Sequence, residues 1–240
     1  MSSVTHGQQI EAPVLVARGR DNVIVDDEIV RHRFATRFIH WSVAITFFLC
    51  LITGMPIWIP IFGWMASLVG GLEVARLIHP YAGVLFFITS LFQYFHWLPD
   101  MHFEKDQKGW FGPKLISYMK WEQQPATEGG KYNGGQKFFF YMVNLAALGL
   151  LLSGIPMWFP TNFPAWLREV CYIVHDVTFI FFFCSIVGHI YLGTAAEPGT
   201  FRAMTRGTVT RRWARFHHPQ WFRDVCSAAD SAAGQEEPRS

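Results

Sequence analysis

Four stretches of the chain carry almost no charge. No Asp, Glu, Lys or Arg falls between Arg37 and Glu73, from Leu77 to Pro99, or from Phe138 to Leu167. The stretch from Val170 to Ala196 holds a single acid, Asp176. A helix needs about 20 apolar residues to cross the hydrocarbon of a bilayer, and each stretch supplies them. The pattern predicts transmembrane helices at roughly 38–59, 77–98, 138–159 and 171–194. The expected fold class is all-α, an integral membrane four-helix bundle. Four such runs in 240 residues are too many for the buried helices of a soluble core.

The basic residues between the runs orient the bundle. Arg31, Arg33 and Arg37 precede the first span. Lys105, Lys108, Lys114, Lys120, Lys131 and Lys137 fill the long connection between the second and third, and Arg202, Arg206, Arg211, Arg212 and Arg215 follow the fourth. The other two connections hold only Arg76 and Arg168. Both termini and the 99–137 loop are therefore expected in the cytoplasm, and the 60–76 and 160–170 loops outside. Residues 1–36 are polar, include Asp26, Asp27 and Glu28, and lack an apolar core, so they read as a mostly flexible cytoplasmic arm rather than a signal peptide. Residues 37–200 form the membrane domain and residues 201–240 a second cytoplasmic segment. Within it, Thr205–Arg223 mixes arginines with Trp213, Phe216, Trp221 and Phe222, a composition suited to a lipid surface. From about Ser227 the chain turns Ala-, Ser- and Glu-rich and reads as disordered.

Composition agrees with a membrane protein. Charged residues make up 16% of the chain, against roughly a quarter in soluble domains. A net charge of +2 is too small a bias for nucleic-acid binding. Cys50, Cys171, Cys184 and Cys226 form no C-x-x-C pair, which argues against an iron–sulfur cluster, structural zinc and covalently attached haem.

One sequence pattern recurs. The first span ends Thr53-Gly54-Met55-Pro56-Ile57-Trp58-Ile59-Pro60 and the third Ser153-Gly154-Ile155-Pro156-Met157-Trp158-Phe159-Pro160. Both ends lie at the same membrane face. The first and second halves of the bundle therefore read either as parallel repeats or as two helix ends of similar composition.

The histidines carry the chemistry. His40, His79, His96, His175 and His189 fall in or at the edges of spans, where ionisable residues are costly and usually functional. His175 and His189 are 14 residues apart, so they return to within about 40° of one helix face and stand about 21 Å apart along it. One helix thus offers a ligand near each membrane surface, which suits two stacked haems with two axial ligands each. A proton path would need intermediate polar residues, and Val177–Val187 offers only Thr178, Cys184 and Ser185. Topology pairs His40 with His189 at the inner level and His79 with His175 at the outer. His96 lies about 260° round the helix from His79 and is set aside as an interfacial histidine. Gly54, Gly83, Gly154 and Gly188 lie close to these levels and would leave gaps for a macrocycle. The residues alone lead to a di-haem b-type cytochrome.

Further motifs sharpen that reading. Gly130-Lys131-Tyr132-Asn133-Gly134-Gly135-Gln136-Lys137 enters the third span, and Arg211-Arg212-Trp213-Ala214-Arg215-Phe216-His217-His218-Pro219 follows the fourth. With Arg37-Phe38-Ile39-His40-Trp41 and the His-x13-His of the fourth span, these resemble the cytochrome b556 subunit of respiratory formate dehydrogenase, a relative of the b561-type cytochromes. The resemblance covers about residues 33–223.

The resemblance implies a subunit of a complex in the bacterial inner membrane. A molybdenum or tungsten catalytic subunit would oxidise formate on the outer side, and an iron–sulfur subunit would pass electrons to the outer of two b haems. Electrons would then reach the inner haem and reduce a quinone, menaquinone or ubiquinone, near the cytoplasmic face. The family's axial ligands match His40, His79, His175 and His189, and its quinone site matches the turn containing Asn133 and Gly135. Without the resemblance, that turn reads as a glycine-rich helix entry. The longer N-terminal arm and Asp176 depart from the family pattern. The competing readings are a cytochrome b subunit of a nickel-iron hydrogenase or thiosulfate reductase, and a haem-free membrane anchor.

Overall fold

The computed structural model describes residues 24–25, 28–103 and 130–233. Four long helices make up the bundle: α1 Phe34–Trp58, α2 Leu72–Trp97, α3 Gly134–Trp158 and α4 Ala165–Tyr191. All four are long and apolar enough to cross a membrane. Large apolar side chains such as Ile45, Phe92, Leu145 and Ile173 point outward, as lipid-facing helices require. Helix α1 packs along α2, α3 along α4, and α2 against α3.

The helices overrun the charge-free runs. Helix α2 begins before Glu73 and Arg76, which pair at 2.8 Å on its exposed first turn. Helix α4 begins before Arg168 and Glu169. The charges mark the edge of the hydrocarbon, whereas backbone hydrogen bonding continues until a cap or proline ends it. Helices α1 and α3 end alike: the Ile59 N–H donates to the Met55 carbonyl and the Phe159 N–H to the Ile155 carbonyl, both at 3.0 Å. Pro60 and Pro160 then open 3₁₀ segments, Pro60–Val69 and Pro160–Asn162.

Midway between the two ends, Phe47, Phe86 and Phe182 meet with ring centroids 5.2 to 6.0 Å apart. They centre a buried core completed by Val43, Met142, Val143, Ala146 and Ala147. Phe182 lies seven residues from both His175 and His189, so this core separates the two histidine levels.

The end that carries the termini is capped by a small unit absent from the sequence reading. Strands β1 Ile24–Val25, β2 Glu28–Val30 and β3 Thr208–Thr210 form an antiparallel sheet in that order, with Ile29 opposite Val209. Short helices α5 Thr200–Thr205, α6 Arg211–His217 and α7 Pro219–Ala233 pack around it. Ile29, Ala203, Val209, Trp213, Ala214, Trp221 and Val225 form its core. Part of the expected flexible arm is therefore a strand, and Trp213 and Trp221 face a protein core rather than lipid. The Ala-rich stretch after Ser227 continues α7 to Ala233, as alanine's helix propensity favours. The Glu28 carboxylate accepts from Thr208 Oγ1 at 2.6 Å and pairs with Arg202.

Gly207 joins α5 to β3 at φ +88°, and its carbonyl accepts from the backbone N–H groups of Arg31 and His32 at 2.8 and 3.0 Å. A Cβ there would stand 2.5 Å from the His32 carbonyl oxygen. Both the left-handed backbone and the close approach require glycine. Lys105, Lys108, Lys114 and Lys120, the first 23 residues and the last seven lie outside the described residues.

Candidate functional site

The structure brings the four spanning histidines together in two pairs. His40 on α1 faces His189 on α4 with ring centroids 6.2 Å apart, and His79 on α2 faces His175 on α4 at 6.4 Å. The ring planes cross at 46° in the first pair and 73° in the second. Two metal–imidazole bonds of about 2 Å, plus about 1.1 Å from nitrogen to ring centre on each side, sum to about 6.2 Å. Each pair is thus spaced so that both imidazoles could hold one ion between them. Among the described residues, no group of three or more His, Cys, Asp or Glu could hold a bare metal ion. Two donors suffice for an iron whose other four positions a macrocycle fills. Glycines at the same levels fit this use: a Cβ added at Gly83 or Gly188 would enter open space. His96 stays apart, its Nε2 3.0 Å from Thr36 Oγ1.

The repeated motif shapes the pair away from the termini. Thr53 Oγ1 lies 3.1 Å from His79 Nδ1, and Ser153 Oγ lies 3.0 Å from His175 Nδ1. Each hydroxyl donates its own proton to a helix carbonyl 2.7 Å away, Leu49 or Gly149. The oxygens must then accept from Nδ1–H, which leaves the Nε2 lone pairs free for a ligand. Gly54 follows Thr53 because a Cβ there would stand 2.7 Å from His79 Cε1; at Gly154 the corresponding distance to His175 is 3.6 Å. The gap at Gly54 is thus occupied by an imidazole. The same end resolves Asp176, whose carboxylate accepts from Trp58 Nε1 at 3.0 Å and so ties α4 to α1.

At the end carrying the termini, Asn133 caps α3. Its Oδ1 accepts from the Gln136 N–H at 2.9 Å, and its own N–H donates to Gln136 Oε1 at 3.0 Å. This capping box turns the Asn133 amide nitrogen away from the helix. It leaves the Gly134 and Gly135 N–H groups without intrahelical acceptors, as at any helix start. One turn further, Phe139 stacks on His189 with centroids 4.4 Å apart and planes within 6°. Gly135 and Phe139 share a helix face, so the donor-rich entry of α3 stands about 6 Å along the helix from the residue that covers His189.

The turn before Asn133 is gripped by Arg31 from the basic flank and His218 from the motif after the fourth span. The Arg31 guanidinium, 2% exposed, donates to the Lys131 carbonyl at 2.6 Å and contacts His218 Nε2 at 3.0 Å. His218 Nδ1 donates to the Gly130 carbonyl at 2.9 Å, so its Nε2 accepts from Arg31. Trp213 and Trp221 rings lie 4.9 and 5.0 Å from the guanidinium carbon and stabilise it as cation–π partners. Burial pushes Arg31 down to about 10, opposed by Tyr132 and Glu197. Burial, reinforced by Arg31, holds His218 and His32 well below the ordinary histidine range. The two His218 bonds require a neutral imidazole there.

The roles of Thr53, Ser153, Phe139, Arg31 and His218 were missed in the sequence, although Thr53 and Ser153 open the repeat, Arg31 stands in the basic flank and His218 lies in the motif after the fourth span.

Comparison with known proteins places this geometry in context. The family model for prokaryotic cytochrome b561 matches residues 31–207. The chain is 34% identical to the formate dehydrogenase cytochrome b556 subunit of Haemophilus influenzae, over 83% of this chain and 84% of that protein. It is 30% identical to the formate dehydrogenase cytochrome b556(fdo) subunit of Escherichia coli K12, over 86% and 98%. It is 28% identical to the nitrate-inducible formate dehydrogenase cytochrome b556(Fdn) subunit of the same strain, over 87% and 96%.

Proposed function

The chain belongs to the prokaryotic cytochrome b561 family, and we propose that it is the di-haem membrane subunit of a formate dehydrogenase. The observation that carries this reading is the pair of histidine couples at 6.2 and 6.4 Å, both anchored on α4. Similarity to formate dehydrogenase subunits over more than four-fifths of the chain supports the enzyme it serves. Bound between each couple, haem b supplies a one-electron carrier.

In this reading His79 and His175 hold the carrier on the outer side, facing an iron–sulfur subunit that draws electrons from a molybdenum or tungsten formate-oxidising subunit. His40 and His189 hold the carrier on the cytoplasmic side. The excess of arginine and lysine on the end with the termini supports that orientation in a bacterial inner membrane. Phe47, Phe86 and Phe182 close the middle of the bundle to water, so charge crosses without a proton leak.

Quinone binds at the entry of α3. Asn133 Nδ2 and the Gly135 N–H donate to its oxygen, favoured by the positive end of the helix dipole. Two electrons and two cytoplasmic protons convert quinone to quinol. Electrons arriving from outside and protons taken from inside both charge the membrane.

The test is haem stoichiometry in the purified complex. Reduced-minus-oxidised spectra give two b haems per chain; His40→Ala or His189→Ala removes one and His79→Ala or His175→Ala the other. Loss of haem on His96→Ala, with His40→Ala tolerated, overturns the pairing, and a chain without b-type absorption is a haem-free anchor. Copurification with a molybdopterin subunit and an iron–sulfur subunit tests the formate dehydrogenase assignment against a hydrogenase or thiosulfate reductase. Reporter fusions after Gly193 read as cytoplasmic and those near Asn162 as exterior; the reverse pattern places quinone on the other side.

A further inference from the structure

We propose that Thr53 and Ser153 lower the reduction potential of the haem held by His79 and His175, and so set the direction of electron flow through the bundle. The inference rests on the di-haem reading above.

Its ground is a difference between His79 and His175 on one side and His40 on the other. Both outer imidazoles donate Nδ1–H to a hydroxyl oxygen, at 3.1 and 3.0 Å. Both hydroxyls are fixed as acceptors, because their protons are committed to the Leu49 and Gly149 carbonyls at 2.7 Å. Both are buried, Thr53 at 0% and Ser153 at 3% exposure, so water does not compete for them. At the inner couple, His40 Nδ1 is buried and has no hydrogen-bond partner among the described residues.

An N–H donated to an oxygen leaves more electron density on the ring, and the opposite nitrogen becomes a stronger donor to its metal. A stronger donor stabilises the ferric state over the ferrous one. No proton leaves the imidazole; the bond only shifts charge toward the ring. The outer haem is thereby made the better reductant, and each electron it receives runs downhill to the inner haem. The repeat of Thr53-Gly54 as Ser153-Gly154 matches this role: in each half of the bundle the hydroxyl sets the ring charge, and at Gly54 the following glycine also admits the ring edge.

The test is potentiometric titration of the intact complex, following the two b-haem absorption changes. In Thr53→Val, which keeps the shape and removes the hydroxyl acceptor while the Cys50 carbonyl stays near the ring, the outer midpoint potential rises while the inner one stays at its wild-type value. Ser153→Ala raises it independently, the double variant raises it further, and Thr53→Ser and Ser153→Thr restore it. Low-spin ferric EPR gives a second readout, since loss of either hydroxyl loosens a ring and changes only the outer signal. An outer midpoint that is unchanged or lowered in the double variant, with both haems present, overturns the proposal. Absence of haem from the wild-type complex would overturn the di-haem reading instead.

Discussion

Phe139 lies flat against His189, with ring centroids 4.4 Å apart and planes within 6°. The contact couples the first two turns of α3 to the His40–His189 couple, and in the proposed function it puts the donors of the capped helix start beside the place where electrons would leave the protein. In the assembled complex, Asn133→Ala is expected to leave both haems reducible by formate and to slow their reoxidation by quinone. Loss of a single neutral hydrogen bond, about 0.5–1.5 kcal/mol, corresponds to a several-fold weaker apparent affinity. Gly135→Val should act in the same sense by blocking approach to the N–H. Stopped-flow reoxidation at the wild-type rate in both variants would put quinone elsewhere.

The two repeat glycines are expected to differ in tolerance. Gly54→Ala places a methyl 2.7 Å from His79 Cε1, whereas Gly154→Ala meets His175 at an ordinary 3.6 Å. Haem quantification should show the outer haem lost or weakly held in Gly54→Ala and retained in Gly154→Ala. Equal retention in both would mean that the His79 ring moves freely.

Phe182 is 1% exposed at the centre of the aromatic cluster. Its replacement by alanine removes most of a ring from a close-packed site and should cost about 3–5 kcal/mol. Thermal melting of the detergent-solubilised subunit would show this as a lowered midpoint with haem ligands intact. A Phe182→Leu variant should recover much of the loss; an unchanged midpoint in Phe182→Ala would contradict the packing role.

The unit at the end with the termini should loosen in acid. His32 and His218 are held below the ordinary histidine value by burial and by Arg31. The unfolded segment therefore binds more protons once the pH falls below about 6.5. The folded form has its full histidine contribution above that pH and loses it progressively below. Hydrogen exchange at β2 and β3 should accelerate between pH 7 and pH 5, and less so in His218→Gln. Protection that stays flat over that range, after correction for intrinsic exchange, would rule this out.

Much of the bundle is legible in the sequence because its determinants are local. Charge-free runs report the hydrocarbon directly, and a 14-residue spacing on one helix brings His175 and His189 to one face whatever surrounds them. The boundaries are less legible: Glu73 and Arg168 end the apolar runs, yet both lie inside helices. The strands escape detection because Glu28–Val30 and Thr208–Thr210 are three residues each and pair across most of the chain. Arg31 looks like a basic flank, and only the fold supplies the aromatic faces that allow its burial. Thr53 and Ser153 read as the first positions of two similar helix ends until a histidine from the next helix is placed against each.

The pairing of β2 with β3 also fixes an order of events during biogenesis. Glu28–Val30 leave the ribosome early, but their partner strand, Thr208–Thr210, emerges only after all four membrane helices have been made. Until then Arg31 has neither His218 nor the two tryptophans, and the Gly130–Lys131 turn has no clamp. A nascent or truncated chain can thus insert its helices and bring its histidines together while this end remains open. Closure of the turn therefore waits on the synthesis of His218, which follows all four membrane helices in the chain.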